Sequence, residues 1–501
     1  MTAQSASGVP DEDALFTDVL IIGAGLSGIG AAYRIKERNP GLSYAVLERR
    51  SRIGGTWDLF RYPGIRSDSD IFTLSYPFEP WTRPEAIADG EHIRDYLSET
   101  ARRHRIDRHI TFDTRVRSAD WDSRSDTWTV LAEQDGVEVT YSCRFLFFGT
   151  GYYNYDEGYR PVFPGEEEFR GRMIHPQFWP DDLDHAGKKV VVIGSGATAM
   201  TLVPALAEAA ESVTMLQRSP TYVFSGPRVN RAANVIRKVL PRKVSHALVR
   251  YYYALFAWLL FRFSRLAPGA MAKFLRSMAV RNLPAGYDVD THFKPSYNPW
   301  DQRMCLIPEA DLFTMIADDR AKMVTDQIAS FDADGIALVS GGHLDADIIV
   351  TATGLQLQAL GGVTVSVDGA EVKLNDRFVY KGHLIEDVPN LAWSVGYTNA
   401  SWTLRSDMTA QSVAKLLAHM GTNGYTHAYP HRGDEALSEI PAFNLQAGYV
   451  LRARHVLPKS GTTRPWHVRH NYVLDAIDHR FDRIEEAMVF GRVGAEEAIE
   501  A

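Results

Sequence analysis

Asp18-Val19-Leu20-Ile21-Ile22-Gly23-Ala24-Gly25-Leu26-Ser27-Gly28 is the stretch on which the fold class turns. An apolar run of strand length enters a glycine turn, and Ile29 to Arg38 continues with helical spacing. In such a unit the first glycine makes the tight turn, the second lets the backbone approach a pyrophosphate, and the third packs helix against strand. The phosphates then sit on the helix N-terminus. Tyr44 to Leu47 reads as the next strand and ends in Glu48, twenty residues after Gly28, where an acid can accept a hydrogen bond from a ribose 2'-OH. A glycine turn that holds no nucleotide is the alternative, and it would leave strand, helix and acid aligned for no purpose.

A second copy follows. Lys189 to Ile193 is its strand, Gly194-Ser195-Gly196-Ala197-Thr198-Ala199 its turn, Ala199 to Ala210 its helix and Val213 to Gln217 its next strand. Arg218 stands where the first copy has Glu48, and an arginine there suits a 2'-phosphate, as in NADPH; a solvated loop arginine is the alternative. The halves also end alike. Trp128 to Leu131, Val137 to Tyr141 and Arg144 to Phe148 read as three short strands before Gly149-Thr150-Gly151. Val324 to Phe331, Gly335 to Val339 and Asp347 to Val350 precede Ala352-Thr353-Gly354. From Gly23 to Gly151 is 128 residues and from Gly194 to Gly354 is 160, so the second half carries about 32 more. The expected fold class is α/β, with two Rossmann-like dinucleotide-binding domains and a helical insertion at about 222-300 in the second. Residues 1-150 and 361-501 would form an FAD-binding domain and 151-360 an NADPH-binding domain. A flavin reduced by the second nucleotide is the economical chemistry for such a pair.

Composition supports a folded chain of this size. The 501 residues are 45% hydrophobic and 23% charged, which excludes disordered, collagen-like and coiled-coil chains. Lys plus Arg number 54 against 62 Asp plus Glu, net -8, so the chain as a whole has no preference for nucleic acid. The two cysteines, Cys143 and Cys305, lie 162 residues apart; they make neither a redox-active pair nor a thiolate metal site, and no metal is expected. Met1 to Asp13 lacks the basic and apolar regions of a secretory signal, and the longest uncharged apolar run, Tyr251 to Phe261, is too short to span a bilayer, so a cytoplasmic location is expected. One block departs from the acidic average. No Asp or Glu occurs between Glu211 and Asp288, while thirteen Lys and Arg lie from Arg218 to Arg281. Val249 to Arg265 interleaves aromatic and aliphatic residues with basic ends, which fits peripheral contact of the 222-281 segment with an anionic membrane face; a helical insertion with solvated basic faces is the alternative. Residues after about Arg480 read as a closing helix and tail.

Two longer motifs bring a family into view. Phe169 to Pro180 fits F-x-G-x-x-x-H-x-x-x-W-[PD] through Phe169, Gly171, His175, Trp179 and Pro180. Gly54-Gly55-Thr56-Trp57, Tyr62-Pro63-Gly64 and Asp68 fit [AG]-G-x-W-x-x-x-x-[FY]-P-[GM]-x-x-x-D. On these residues the chain resembles the type I Baeyer-Villiger monooxygenases, within the flavin-containing monooxygenase superfamily. Trp57 to Asp68, Gly151 to Asp156 and Tyr297 to Arg303 are similar to the subgroup that contains the mycobacterial ethionamide-activating monooxygenase. The likeness runs from about Asp18 to about Asp475, with no departure at the motif positions.

The resemblance implies insertion of one atom of O2 beside the carbonyl of a small hydrophobic ketone, giving an ester or lactone, with FAD and NADPH as cofactors. Oxygenation of sulfur or nitrogen in thioethers and thioamides is the rival. A non-catalytic binding protein on the same scaffold is a third possibility, opposed by the intact Gly23, Gly25, Gly28, Gly194 and Gly196. The resemblance places a catalytic arginine at Arg303 with Asp68 beside it; from the residues alone, Arg303 could form a surface salt bridge and Asp68 could cap a helix. It places Gly55, Thr56 and Trp57 with the first nucleotide, and Gln177, Thr198, Arg218 and Ser219 with the second, loop and helix-capping roles being open for Gln177 and Thr198. Asn399 to Trp402 would return to the flavin ring. Phe169, Gly171, His175 and Trp179 would couple nucleotide binding to domain movement.

Overall fold

A computed structural model describes residues 15–434, 436–443 and 445–494. The N-terminal stretch expected to lack a leader, and the last residues of the expected tail, lie outside the described residues. Leu15–Ile22 forms the centre of a parallel group, with Tyr44–Leu47 and then Ile110–Thr111 on one side and Val137–Phe148 on the other. An antiparallel extension, Thr127–Gln134 and Thr114–Asp122, continues from Val137–Phe148. The C-terminal part returns to this sheet: Thr364–Val367 pairs with Thr114–Asp122, and Leu391–Trp393 runs parallel to Val137–Phe148. The second sheet repeats the parallel order. Ala321–Thr325, Ser212–Gln217, Lys189–Ile193 and Ile348–Thr351 stand side by side, with Arg172–Ile174 added at the far edge. Both sheets bury near-continuous apolar runs, as parallel strands covered on two faces must.

Several elements differ from the sequence expectation. Val137 to Tyr141 and Arg144 to Phe148 are one strand, because no turn residue separates them and Cys143 continues the buried face. Val324 to Phe331 is two strands, Ala321–Thr325 and Ile328–Asp332, divided where the Asp326 N–H donates to the Gln217 carbonyl and the chain leaves the parallel sheet. The helices after the glycine turns begin earlier than expected, at Leu26 and Ala197, because each turn is itself the helix N-terminus, and the second ends at Leu206 instead of Ala210. The insertion contains the helices Arg231–Val239, Arg242–Leu266, Pro268–Asn282 and Val289–Phe293, but it opens with a strand, Val223–Gly226, that pairs with Cys305–Pro308. Beyond Arg480 the chain forms the strand Met488–Gly491 against His427–Pro430, so the segment is not a helix and tail alone.

Candidate active site

Each glycine turn is shaped by a backbone that a side chain would obstruct. Gly23 has φ +100°, and a Cβ there would stand 2.9 Å from the Gly149 carbonyl oxygen. A Cβ on Gly28 would lie 1.8 Å from the Gly23 carbonyl oxygen, so the helix Leu26–Arg38 can approach its strand only with glycine at that position. Gly194 repeats the arrangement at φ +135°, with its Cβ direction blocked by the Ala352 carbonyl. Gly25 and Gly196 are the N-cap residues of the two helices and neither helix has a side-chain cap, so first-turn N–H groups are left to a ligand or water. Gly25 is also crowded by Gly55, whereas a Cβ on Gly196 would meet nothing within 4 Å and would point into open space.

Both turns face one cleft of about 970 Å3, which extends across the junction of the two sheets. Glu48 is buried at its edge. One of its oxygens accepts from the Ala24 N–H at 2.7 Å and the other from the Arg50 N–H at 2.9 Å, while burial raises its pKa. Each oxygen retains a second lone pair for a ribose hydroxyl. Across the cleft, Arg218 and Ser219 line the wall and are exposed, and no ion pair or hydrogen bond from another described residue engages Arg218. Each turn therefore offers backbone donors that fit a dinucleotide, and Glu48 and Arg218 both line the cleft.

Arg303 and Asp68, 235 residues apart in the chain, line the same cleft as both turns. Arg303 Nη2 lies 2.8 and 3.1 Å from the two Asp68 carboxylate oxygens. The pair is deep in the molecule, yet about a third of each side chain, 32% and 30%, faces the cleft. Asp68 is the first cause of a strong upward displacement of the Arg303 pKa, so the guanidinium is a permanent cation. Asp70, not Asp68, caps the helix Ile71–Leu74 by accepting from the Thr73 N–H at 2.8 Å, which leaves Asp68 for the ion pair.

The surroundings add residues that motif reading missed. Tyr152, Tyr153 and Tyr449 line the cleft with Arg303 and interact with its charge; Tyr449 comes from the helix Gly448–Ala453, late in the chain and outside every motif. Cys305 also lines the cleft, and burial pushes its thiol up to about 12, which makes it inert as a nucleophile. Two contacts join the halves here. Gly64, at φ +76°, lets its loop touch the helix Ala197–Leu206, where a Cβ would stand 2.8 Å from the Thr201 carbonyl oxygen. Arg66 pairs with Asp311 at 2.6 Å.

The remaining sequence candidates divide into those in the cleft and those behind it. Gly55, Thr56, Trp57, Thr198 and Trp402 line it. Trp402 donates from Nε1 to Ser27 Oγ at 2.9 Å and stacks on Tyr152 with ring centres 5.0 Å apart. Asn399 turns away and donates to the His470 carbonyl at 2.8 Å. Gln177 is buried outside the cleft wall, donating to the Asn154 carbonyl at 2.8 Å, and its Oε1 has no hydrogen-bond partner among the described residues. Phe169 packs edge-on against Phe331, and a Cβ on Gly171 would stand 2.4 Å from the Asp347 carbonyl oxygen. His175 Nδ1 accepts from the Gln177 N–H and Nε2 lies 3.2 Å from the Gly354 carbonyl oxygen, while burial lowers its pKa. Trp179 packs on the second-sheet core. The contacts of this motif thus run to Phe331, Asp347, Gly354 and the second-sheet core, and none of its four residues lines the cleft.

Two glycine-turn nucleotide folds facing a common cleft, with a fixed cation between them, define a two-nucleotide oxidoreductase. The flavin-binding monooxygenase-like family matches residues 17–262. The chain is 48% identical over 470 residues to the FAD-containing monooxygenase EthA of Mycolicibacterium smegmatis, covering 94% of this chain and 96% of that protein. It is 49% identical over 459 residues to EthA of Mycobacterium tuberculosis, covering 91% and 94%. Among solved structures, an oxidized steroid monooxygenase bound to NADP superposes with TM-score 0.76 at 24% identity, covering 95% of this chain and all of that one. Cyclohexanone monooxygenase from Rhodococcus sp. Phi1 bound to NADP+ gives 0.72 at 20% identity, covering 96% and 100%. The chain belongs to the flavin-binding monooxygenase-like family and is a flavin-containing monooxygenase with the two-nucleotide fold of these enzymes.

Proposed function

We propose that this chain is an FAD- and NADPH-dependent Baeyer-Villiger monooxygenase that converts a small hydrophobic ketone and O2 into an ester or lactone. The observation that carries the reading is the Arg303–Asp68 pair, held in the cleft between the two glycine turns. Residues 1-150 and 361-501 would hold FAD and 151-360 NADPH. Gly23, Gly25 and the first turn of Leu26–Arg38 would take the FAD pyrophosphate, Glu48 its ribose, and Gly55, Thr56, Trp57 and Trp402 would border it. Gly194, Gly196 and Thr198 would take the NADPH pyrophosphate, with Arg218 and Ser219 on the 2'-phosphate. FAD and NADPH held in this way would supply the oxygen-activating chemistry. Arg303 then supplies what a ketone needs: a preorganised positive charge where the carbonyl oxygen becomes negative. Asp68 holds the guanidinium in place through charge-assisted hydrogen bonds. Tyr152, Tyr153 and Tyr449 would add an aromatic wall to the same cleft. Phe169, Gly171, His175 and Trp179 would transmit NADPH binding to the linker, and Gln177 and Asn399 would act from behind the cleft wall.

Oxygen transfer to the sulfur or nitrogen of a thioether or thioamide is the second reading, supported by the resemblance of Tyr297 to Arg303 to the ethionamide-activating subgroup. Such transfer develops no carbonyl oxyanion and has less need of Arg303. A substrate that carries both a methyl ketone and a thioether, incubated with enzyme, FAD, NADPH and oxygen-18 gas, separates the two readings. A labelled ester is expected. Labelled sulfoxide without ester would overturn the ketone assignment, and no labelled product of either kind would overturn both.

A further inference from the structure

The helix Arg242–Leu266 buries polar residues as well as the apolar Val249 and Ala254. Its buried residues include Ser245, His246, Arg250 and Ser264, and Arg250 donates to the carbonyls of Phe72, Thr73 and Ser75 at 3.0, 3.0 and 2.6 Å. The outward side carries Val244, Leu248, Tyr251, Leu255, Leu259 and Leu266, spaced three, four or seven apart and therefore on one stripe. Leu248 and Leu255 are 49% exposed, Leu259 52%. The flanking aromatics Tyr252, Phe256 and Phe263, 58%, 42% and 48% exposed, widen the uncovered face, and an exposed apolar patch rimmed by polar residues marks a contact surface.

The charge around the stripe selects its occupant. No Asp or Glu occurs from 212 to 287. Arg231, Lys238, Lys243, Arg262, Lys273 and Arg281 are exposed and form no ion pair among the described residues. Two copies meeting through this face would bring cations against cations, whereas an anionic lipid surface offers apolar depth beneath a layer of negative charge. We propose that the outer face of Arg242–Leu266, with its surrounding cations, docks the enzyme on an anionic membrane surface. Among the described residues no helix is long and apolar enough to cross the bilayer, so the contact is interfacial. The same helix reaches the site: Arg265 pairs with Asp301 at 2.6 Å and Phe261 meets the Trp300 ring edge-on, both next to the turn that presents Arg303. Docking would hold the loop of the reactive cation beside the phase in which hydrophobic substrates concentrate.

The test is flotation of the full-length, FAD-loaded enzyme with vesicles of phosphatidylcholine alone or with about one third phosphatidylglycerol, at low and high salt. Recovery with the anionic vesicles is expected to exceed that with neutral ones about tenfold and to fall at high salt. The double variant Leu255→Glu/Leu259→Glu should lose recovery at least tenfold while oxidising NADPH in solution at the parent rate. Lys243→Glu/Arg262→Glu should lose the preference for anionic lipid. Parent enzyme that shows no lipid-dependent recovery, or a Leu255→Glu/Leu259→Glu variant that floats as well as the parent, would overturn the proposal. So would sedimentation showing a dimer that this variant splits, with no vesicle binding by the parent, since the face would then belong to a second copy.

Discussion

Replacing Arg303 by alanine should separate oxygen insertion from folding, because the two depend on different properties of the Asp68 pair. The ion pair is short, at 2.8 Å, but about a third of each side chain faces the open cleft. Solvent screening limits such a pair to about 1 kcal/mol of stability, and in a chain of this size the melting temperature should move by no more than about 2 °C. The catalytic loss is larger. A single preorganised donor aimed at a developing oxyanion is worth about 10²–10³ in rate, or ~2.7–4 kcal/mol, and alanine leaves the Asp68 charge facing the ketone instead. Arg303→Ala should therefore keep its FAD and its fold and go on oxidising NADPH, while ester formation falls at least a hundredfold and hydrogen peroxide appears in its place. Arg303→Lys, which keeps the charge but not the planar fork, should fall between. Ester, peroxide and NADPH are measured in the same reaction, with a thermal melt of each FAD-loaded variant. Ester formation by Arg303→Ala within threefold of the parent would refute the assignment of Arg303 as the catalytic cation.

Arg218→Ala should weaken NADPH binding about 10- to 100-fold and leave NADH binding unchanged, since a charge-assisted hydrogen bond to the 2'-phosphate is worth ~1.5–3 kcal/mol; equal titration curves before and after the change would exclude a 2'-phosphate contact. The two glycine turns should answer differently to an added methyl group: Gly28→Ala meets the Gly23 carbonyl and should cost solubility and FAD, whereas Gly196→Ala meets no protein atom and should keep the parent melting temperature while raising the NADPH KM. Burial lowers the pKa of His246, His383 and His479 to about 4 and of His470 to about 3, against ~6.5 in an unfolded chain. Their folded-state pKa values are depressed, so the stability they contribute is complete above about pH 6.5 and declines as pH falls toward those values, where the unfolded chain binds more protons. His470→Gln, whose amide can still donate to the Ala442 carbonyl, should shrink the loss of melting temperature between pH 7 and 4; an unchanged pH profile would show that His470 is not held neutral.

Much of this protein was legible in local patterns. Tyr44–Leu47 and Lys189–Ile193 match the sequence reading to the residue, and Leu15–Ile22 matches it from Asp18 onward, because a buried parallel strand is an unbroken apolar run that ends at a turn residue. Both glycine turns, and the contrast between Glu48 and Arg218, follow from spacing along one chain segment. Boundaries were harder where no turn residue marked them, as within Val137–Phe148, or where the chain left one sheet for another at Asp326. Local pattern alone thus specifies each strand–turn–helix unit, the duplication, and the residue types at Glu48 and Arg218. Packing between distant segments sets that Asp68 meets Arg303 while Asp70 caps the helix, that Tyr449 lines the same cleft, that Asn399 and Gln177 stand behind it, and that Arg242–Leu266 leaves Leu248, Tyr251, Leu255 and Leu259 exposed. The physical reason is separation along the chain. Strand and turn preferences act over a few residues, whereas these pairings form between segments tens to hundreds of residues apart, and which side chains meet is set by how two sheets and an inserted helical layer pack.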